Sequence, residues 1–284
     1  MKCKFCNSNN VIKWGKQKGK QAYFCKDCKR KFIDNGNIEK MRTDLKIIAF
    51  AMDTYFEGLS VRKVQRQIAK IYGVKVNSST IWRWIMKYSQ IVDEYVNTVS
   101  SEVLSGVWHV DETVIKCDDR KRWFWEVMDE ESKFILASHF SDNRTTEDSI
   151  KLFMKAKRKT TQRPEEICVD GSYSYIKGFK KAFWSRYKDR KVKFTRRVGI
   201  RARKTNNIIE RFHSTLKMRL KTTRGLGEFR TVSSLLKGFI VHYNYVRIHS
   251  VIGTTPAVKA GMNINVRGWE DLIQKATKYK NTKR

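Results

Sequence analysis

Four cysteines open the chain in two pairs, Cys3-x2-Cys6 and Cys25-x2-Cys28, with eighteen residues between the pairs. Two thiolate pairs on tight knuckles can close a tetrahedral zinc site, and a segment of about thirty residues has too little core to fold without a staple. The spacing therefore implies bound Zn2+, with Cys3, Cys6, Cys25 and Cys28 as ligands; two disulfides are the competing reading. Three acids stand out for a different reason. Asp111 lies in His109-Val110-Asp111, Asp170 ends Ile167-Cys168-Val169, and Glu210 sits in Asn207-Ile208-Ile209-Glu210. A carboxylate beside apolar stretches is costly to bury alone, so it is expected to be paired, hydrogen-bonded or metal-bound. Hard divalent cations such as Mg2+ take oxygen ligands, and two of them can activate one oxygen of a phosphodiester reaction and stabilise the leaving one.

Rigid elements must hold such groups. Residues 108–116, which carry Asp111, alternate apolar and polar, as do 122–128, and 134–140 forms a third run; consecutive strands of this kind predict antiparallel pairing. A helix over 146–157, a short strand at 167–169, a helix near 175–186, a strand near 192–194 and a long helix over 206–220 follow, with another helix over 235–245. The class is mixed α/β. Upstream, residues 44–97 carry helical stripes (Leu45, Ile48, Ala49, Met52; Val61, Val64, Ile68, Ile71; Ile81, Ile85, Tyr88), which predicts three helices with Ser60 and Ser78 or Ser79 as N-caps. The region reads as a helix-turn-helix with Ser79, Thr80, Arg83 and Lys87 on the recognition helix, against the plainer reading of a helical spacer. Between the cysteine pairs, Trp14-Gly15 to Tyr23-Phe24 reads as a hairpin.

The charge narrows the function class. With 60 Lys plus Arg against 28 Asp plus Glu in 284 residues, the net charge is +32, which implies a polyanionic partner such as DNA. The layout is uneven: 14 of the acids fall in residues 107–170, whereas 177–204 holds 13 basic residues and one acid, including Arg196, Arg197, Arg201 and Arg203. Those arginines would bring phosphates towards the carboxylates, and affinity should fall steeply with salt. Phe179, Phe183, Trp184 and Tyr187 interleave this block at a spacing that suits core packing. No apolar run reaches the roughly 20 residues of a membrane span, and no secretory signal opens the chain, so the expected location is cytoplasmic and nucleoid-associated.

Trp108-His109-Val110-Asp111-Glu112-Thr113, Val169-Asp170-Gly171, Asn207-Ile208-Ile209-Glu210-Arg211-Phe212-His213, Tyr243-Asn244-Tyr245-Val246-Arg247-Ile248-His249 and Thr255-Pro256 together resemble the Asp-Asp-Glu (DDE) transposases of prokaryotic insertion sequences. The resemblance implies a ribonuclease-H-like core over 99–262; the cysteine spacing and helical stripes place a zinc ribbon at 1–34 and a helix-turn-helix region at 35–98 before it, and the basic tail at 263–284 is expected to fray. It also implies Mg2+ or Mn2+ on a triad of Asp111, Asp170 and Glu210. The activity would be DNA cleavage and strand transfer at terminal inverted repeats, into target DNA, by a homodimer or larger synaptic complex. Lys217, seven residues after Glu210 and so on the same helix face, would contact phosphate. Asp170 and Glu210 are separated by 39 residues, longer than the mid-thirties spacing common in the group, with Glu228 the nearby rival. Glu112 is read as a surface or supporting group on the opposite strand face, and His213 as either an aid to the metal site or a core histidine. The competing functions are a zinc-dependent DNA-binding regulator with a degenerate core, and a nuclease or resolvase of the same fold.

Overall fold

The computed structural model describes residues 1–3, 5–6, 8–17, 20–33, 43–100, 104–196, 207–223, 227–262 and 264–282. The hairpin expected between the cysteine pairs is β1 (Val11–Gln17) with β2 (Lys20–Cys25), and β3 (Lys31–Ile33) extends it to a three-stranded antiparallel sheet. Its core is small. Cys3, Cys25 and Phe32 are buried, with Phe5, Val11, Tyr23 and Cys28 packed against them.

The three apolar stripes fold as α1 (Leu45–Phe56), α2 (Val61–Tyr72) and α3 (Ser78–Val96). Gly73 ends α2 in the left-handed conformation, φ 63°, where a side chain would be strained. The cap of α3 is Asn77 rather than Ser78 or Ser79: its backbone is extended and its side-chain oxygen accepts the Ser79 N–H at 3.0 Å. Both serines already lie inside the first turn. Ser60 occupies the N-cap position of α2 without a side-chain capping bond.

The alternating segments pair as expected. β4 (Val107–Cys117), β5 (Arg120–Asp129) and β6 (Ile135–Ser141) are antiparallel, and β7 (Glu166–Val169) and β8 (Lys193–Arg196) run parallel to β4, giving the order β6-β5-β4-β7-β8. This mixed five-stranded sheet is the ribonuclease-H-like arrangement that the resemblance implied. Asp118 and Asp119, at φ 53° and 54°, make the two-residue turn between β4 and β5, the geometry whose twist matches a hairpin. The sheet is covered by α4 (Thr146–Lys159), α5 (Ser174–Phe183), α6 (Asn207–Lys221) and α7 (Phe229–Tyr245). Asn244 fastens α7 to the sheet through both ends of its amide, donating to the Ile135 carbonyl and accepting from the Ile135 N–H, each at 3.0 Å.

The basic C-terminal segment does not fray. After the short α8 (Pro256–Lys259) it forms α9 (Trp269–Thr282), which buries Trp269, Leu272, Ile273 and Ala276, an i, i+3, i+4, i+7 stripe. The Trp269 indole donates to His242 Nδ1 at 3.2 Å, so the proton of that ring is on Nε2, which faces Glu57 at 3.0 Å. Helices α1 to α3 share one continuous apolar core with the sheet and with α7 and α9, so packing runs across the 98/99 boundary drawn from the sequence. At the seam is Gly238, on α7: a Cβ there would meet Ser89 Oγ at 2.1 Å and Phe56 at 2.3 Å. Gly238→Ala should therefore destabilise the fold by about 1–3 kcal/mol through overpacking, although alanine is the better helix former. A urea midpoint equal to or above that of the parent would refute the tight seam.

Candidate active site

Parallel pairing of β7 with β4 matches Val110 to Val169, so Asp111 and Asp170 leave adjacent strands at the same level. Oxygens of Asp111, Glu112 and Asp170 lie within 4.8 Å of one another. Glu112 is thus not a surface group on the far face. Its side chain is 3% exposed, accepts the Tyr175 hydroxyl and is ion-paired with Arg144. Period-two alternation puts Glu112 on the face opposite Asp111, yet its carboxylate comes within 4.8 Å of the Asp111 and Asp170 oxygens.

Each acid has its own support. Asp111 Oδ1 accepts the Glu112 N–H at 2.9 Å, and Asp170 Oδ1 accepts the Ser172 N–H at 3.0 Å. Burial pushes Asp111 up to about 7; His213 and the Glu112 N–H oppose this, and the Glu112 and Asp170 charges add to it. Glu112 is raised for the same leading reason, burial, against the stabilising Tyr175 hydroxyl. Three converging carboxylates in a half-buried place therefore carry a repulsion that Arg144 only partly relieves. Its guanidinium reaches Asp170 Oδ2 at 3.5 Å and lies 5.1 Å from the Trp123 ring. The donor set is all oxygen and charge-deficient, which fits Mg2+ or Mn2+.

Glu210 is not part of this cluster. It is exposed on α6, one turn before His213. His213 Nε2 meets Glu126 Oε2 at 3.0 Å and its Nδ1 lies 3.8 Å from Asp111 Oδ2. Burial holds Glu126, fully enclosed and opposite Asp111 on β5, well above the ordinary carboxylate range, and burial pushes His213 down. The two are read as a carboxylic acid donating to a neutral imidazole, which leaves Nδ1–H turned to Asp111. Glu126 went unnoticed in the sequence, although an acid within Trp123-Phe124-Trp125-Glu126-Val127-Met128 carries the same signal as Asp111.

The basic groups divide. Lys217 is exposed two turns after Glu210, lines a groove with Val114, Lys116 and Asp118, and its charge acts on both His213 and Glu126. Arg196, on β8, donates to the Gly171 carbonyl and lies 4.3 Å from the Tyr173 ring, beside Asp170. Arg83 and Lys87 are exposed one turn apart on α3. Arg197, Arg201 and Arg203 lie outside the described residues. Of the aromatic residues in the basic block, Phe183 is buried and Phe179 stacks on Phe194, but Trp184 and Tyr187 are exposed, against the expectation of core packing. Cys117 and Cys168 are buried, as expected of small apolar side chains.

The second cluster joins Cys3, Cys6, Cys25 and Cys28, all within 4.8 Å. The Cys3–Cys28 and Cys6–Cys25 sulfurs are each 3.6 Å apart, far beyond a disulfide bond and close to the roughly 3.8 Å edge of a tetrahedron with 2.3 Å zinc–sulfur bonds. The N–H of Cys28 lowers the Cys25 thiol to about 7, whereas burial pushes Cys28 up to about 12, so all four become thiolates together only around a cation. This cluster could bind Zn2+.

A DDE domain profile of the IS240 transposase type matches residues 105–249, just over half of the chain and inclusive of Asp111, Asp170 and Glu210. The chain belongs to the DDE transposases. A profile of the IS66 transposase family also matches residues 40–162. An uncharacterized protein of Methanocaldococcus jannaschii is 28% identical over 223 residues, covering 77% of this transposase and 95% of the relative. Among solved structures, the HTLV-2 integrase catalytic core domain in complex with magnesium, in its dimeric form, aligns at 16% identity and TM-score 0.40, over 54% of this chain and 94% of that one. The simian T-cell lymphotropic virus intasome in complex with PP2A regulatory subunit B56 gamma aligns at 13% identity and TM-score 0.42, over 60% of this chain and 59% of that one. Membership of the DDE transposases gives the activity: DNA strand cleavage and transfer by metal-dependent phosphoryl transfer. Among the described residues no helix is long and apolar enough to cross a membrane.

Proposed function

We infer that this transposase performs its chemistry at Asp111, Asp170 and Glu210, acting on the ends of an insertion sequence. The observation that carries this reading is the convergence of Asp111 and Asp170 from neighbouring parallel strands, with Glu210 on the helix that faces them. These three would hold Mg2+ or Mn2+, which when bound supplies Lewis-acid activation of the attacking oxygen and neutralises charge on the leaving one. The chain's own part is positional. Ser172 N–H fixes Asp170, the Glu112 N–H fixes Asp111 with His213 beside it, and Lys217 receives a phosphate along the Glu210 face of α6. Glu112 is the alternative third ligand, favoured by its place in the acid cluster; its engagement by Tyr175 and Arg144 leaves Glu210 the better assignment. Strand-transfer assays on duplexes from the DNA flanking the gene decide this. Glu210→Gln should abolish joining and Glu112→Gln should only reduce it; the reverse order would reassign the triad.

Arg144 occupies the charge that a divalent ion would take. An opposite unit charge about 4 Å away is worth about 4 kcal/mol at an effective dielectric of 20, and partial exposure reduces this to roughly 1.4 kcal/mol, or tenfold. Arg144→Gln should accordingly tighten Mn2+ binding about tenfold in calorimetry. Unchanged or weaker affinity would remove Arg144 as a competitor of the metal.

Recognition of the ends is assigned to the zinc ribbon and to Ser79, Thr80, Arg83 and Lys87 at the N-terminal half of α3, and the basic flank containing Arg196, Arg197, Arg201 and Arg203 to phosphate contacts. Synapsis of two ends calls for a homodimer or larger assembly.

A further inference from the structure

On the side of α6 opposite His213, with the helix between it and the carboxylates, lies a cavity of about 330 Å3. Lys133, Arg211, Arg247 and His249 line it together with Phe212 and Tyr243. The cations come from three separate places in the chain: the β5–β6 turn, α6 one residue after Glu210, and the segment after α7. Among the described residues no carboxylate forms an ion pair with Lys133, Arg211 or Arg247, although Glu57 feels the charge of Arg247. Burial, then Arg247, Lys133 and Arg211 together, push half-buried His249 below the usual histidine range. The Lys133 ammonium also donates to the Glu130 carbonyl at 2.6 Å, but that bond leaves its charge in place, and three like charges around one concave place favour an anion there. Phe212 and Tyr243 add aromatic faces among small polar and aliphatic walls. The His249 ring stands edge-on to Tyr243 at 6.1 Å, and its Nδ1 accepts the Val251 N–H at 3.3 Å, which leaves Nε2–H as a donor.

We propose that this cavity holds one unpaired nucleotide of the DNA strand that passes the catalytic carboxylates, its phosphate on Lys133, Arg211 and Arg247 and its base against His249 and Tyr243. The proposal rests on the catalytic reading above for its place next to the reaction. The volume lies at the lower end of small-ligand pockets, which is too large for a bare phosphate and far too small for a duplex, whose major groove alone is about 12 Å wide. An unstacked base offers a π-face to an aromatic wall, worth about 1–3 kcal/mol per base, which offsets the few kcal/mol of unstacking. Within the Tyr243 to His249 motif, where Asn244 already ties α7 to the sheet, Tyr243, Arg247 and His249 thereby gain a task.

The test uses the full chain without added divalent metal and a hexathymidylate containing one 4-thiothymidine. Irradiation should crosslink the peptide spanning residues 243–251. Arg211→Gln with Arg247→Gln should lower hexamer affinity and crosslinking about tenfold, and reduce the slope of log K against log salt by about 0.7 for each phosphate that is no longer neutralised. Affinity for a blunt duplex should change less than twofold. Val251→Trp, on the exposed rim, fills the cavity without removing a charge and should abolish the same crosslink. Crosslinks confined to other segments, equal weakening for hexamer and duplex, or a crosslink indifferent to Val251→Trp would overturn the proposal. If the crosslink forms but Asp170→Asn still joins strands, the catalytic assignment fails and the cavity stands; the opposite pair of results removes the cavity alone.

Discussion

Asp170→Asn is expected to abolish metal-dependent strand joining, by about a thousandfold or more, while DNA binding and the fold persist. A thousandfold corresponds to about 4 kcal/mol of transition-state stabilisation. The substitution removes a charge and almost nothing else. Asp170 lies just past the end of β7 with a side chain 38% exposed, and asparagine retains the oxygen that accepts the Ser172 N–H. A structural role at this position would instead appear as a lowered melting temperature with partial activity. Joining assays in Mn2+, paired with an anisotropy titration of the same duplex, separate the two. Undiminished joining at equal protein concentration would strike Asp170 from the triad. Clean hydrolysis by the parent protein without joined product would point to the nuclease reading.

Replacing Cys25 and Cys28 together by serine should produce the second large effect: loss of about one zinc per chain and unfolding of residues 1–33, with the catalytic sheet intact. Structural zinc contributes about 10–16 kcal/mol to folding small modules, and the ribbon's small buried cluster, two of whose members are themselves the cysteines, cannot replace it. The separate core of this sheet confines the damage. Elemental analysis reads the metal, and hydrogen exchange reads the two regions independently. Full zinc content in the double variant, or parallel loss of protection in β4 and β5, would contradict the assignment. Weakened binding to end-containing DNA, with binding to random DNA retained, would link the ribbon to end recognition.

How far the sequence disclosed this molecule depended on how local each signal was. β4 and β5 were legible because alternation and a two-aspartate turn are local features, and α6 because Ile209, Phe212 and Leu216 repeat on one side. The cysteine cluster followed from spacing alone. Residues 269–276 carried an equally plain stripe, but the basic side chains around it drew attention to charge and away from Trp269 and Leu272. The roles of Glu112 and Arg144 escaped because they depend on contacts across 63 and 32 residues, with Tyr175 and with each other. Lys133, Arg211 and Arg247 escaped more completely, since nothing in the chain between them announces that the three meet. Glu126 was missed without that excuse, since the apolar run around it is continuous.

Were α3 to read the DNA, as proposed, the seam at Gly238 would bear on where the strand is cut. Helix α3 is 19 residues long, about 28 Å. Arg83 and Lys87 sit towards its beginning, while Ser89 beyond them is wedged against α7, the helix that Asn244 ties to the sheet bearing Asp111. With no hinge between them, a grip on a sequence near Arg83 would set the scissile phosphate at a constant offset, as a ruler does. Loosening the wedge should then blur the cut position over neighbouring nucleotides before it slows the reaction, so fidelity of placement and speed of chemistry would be separately adjustable in this protein.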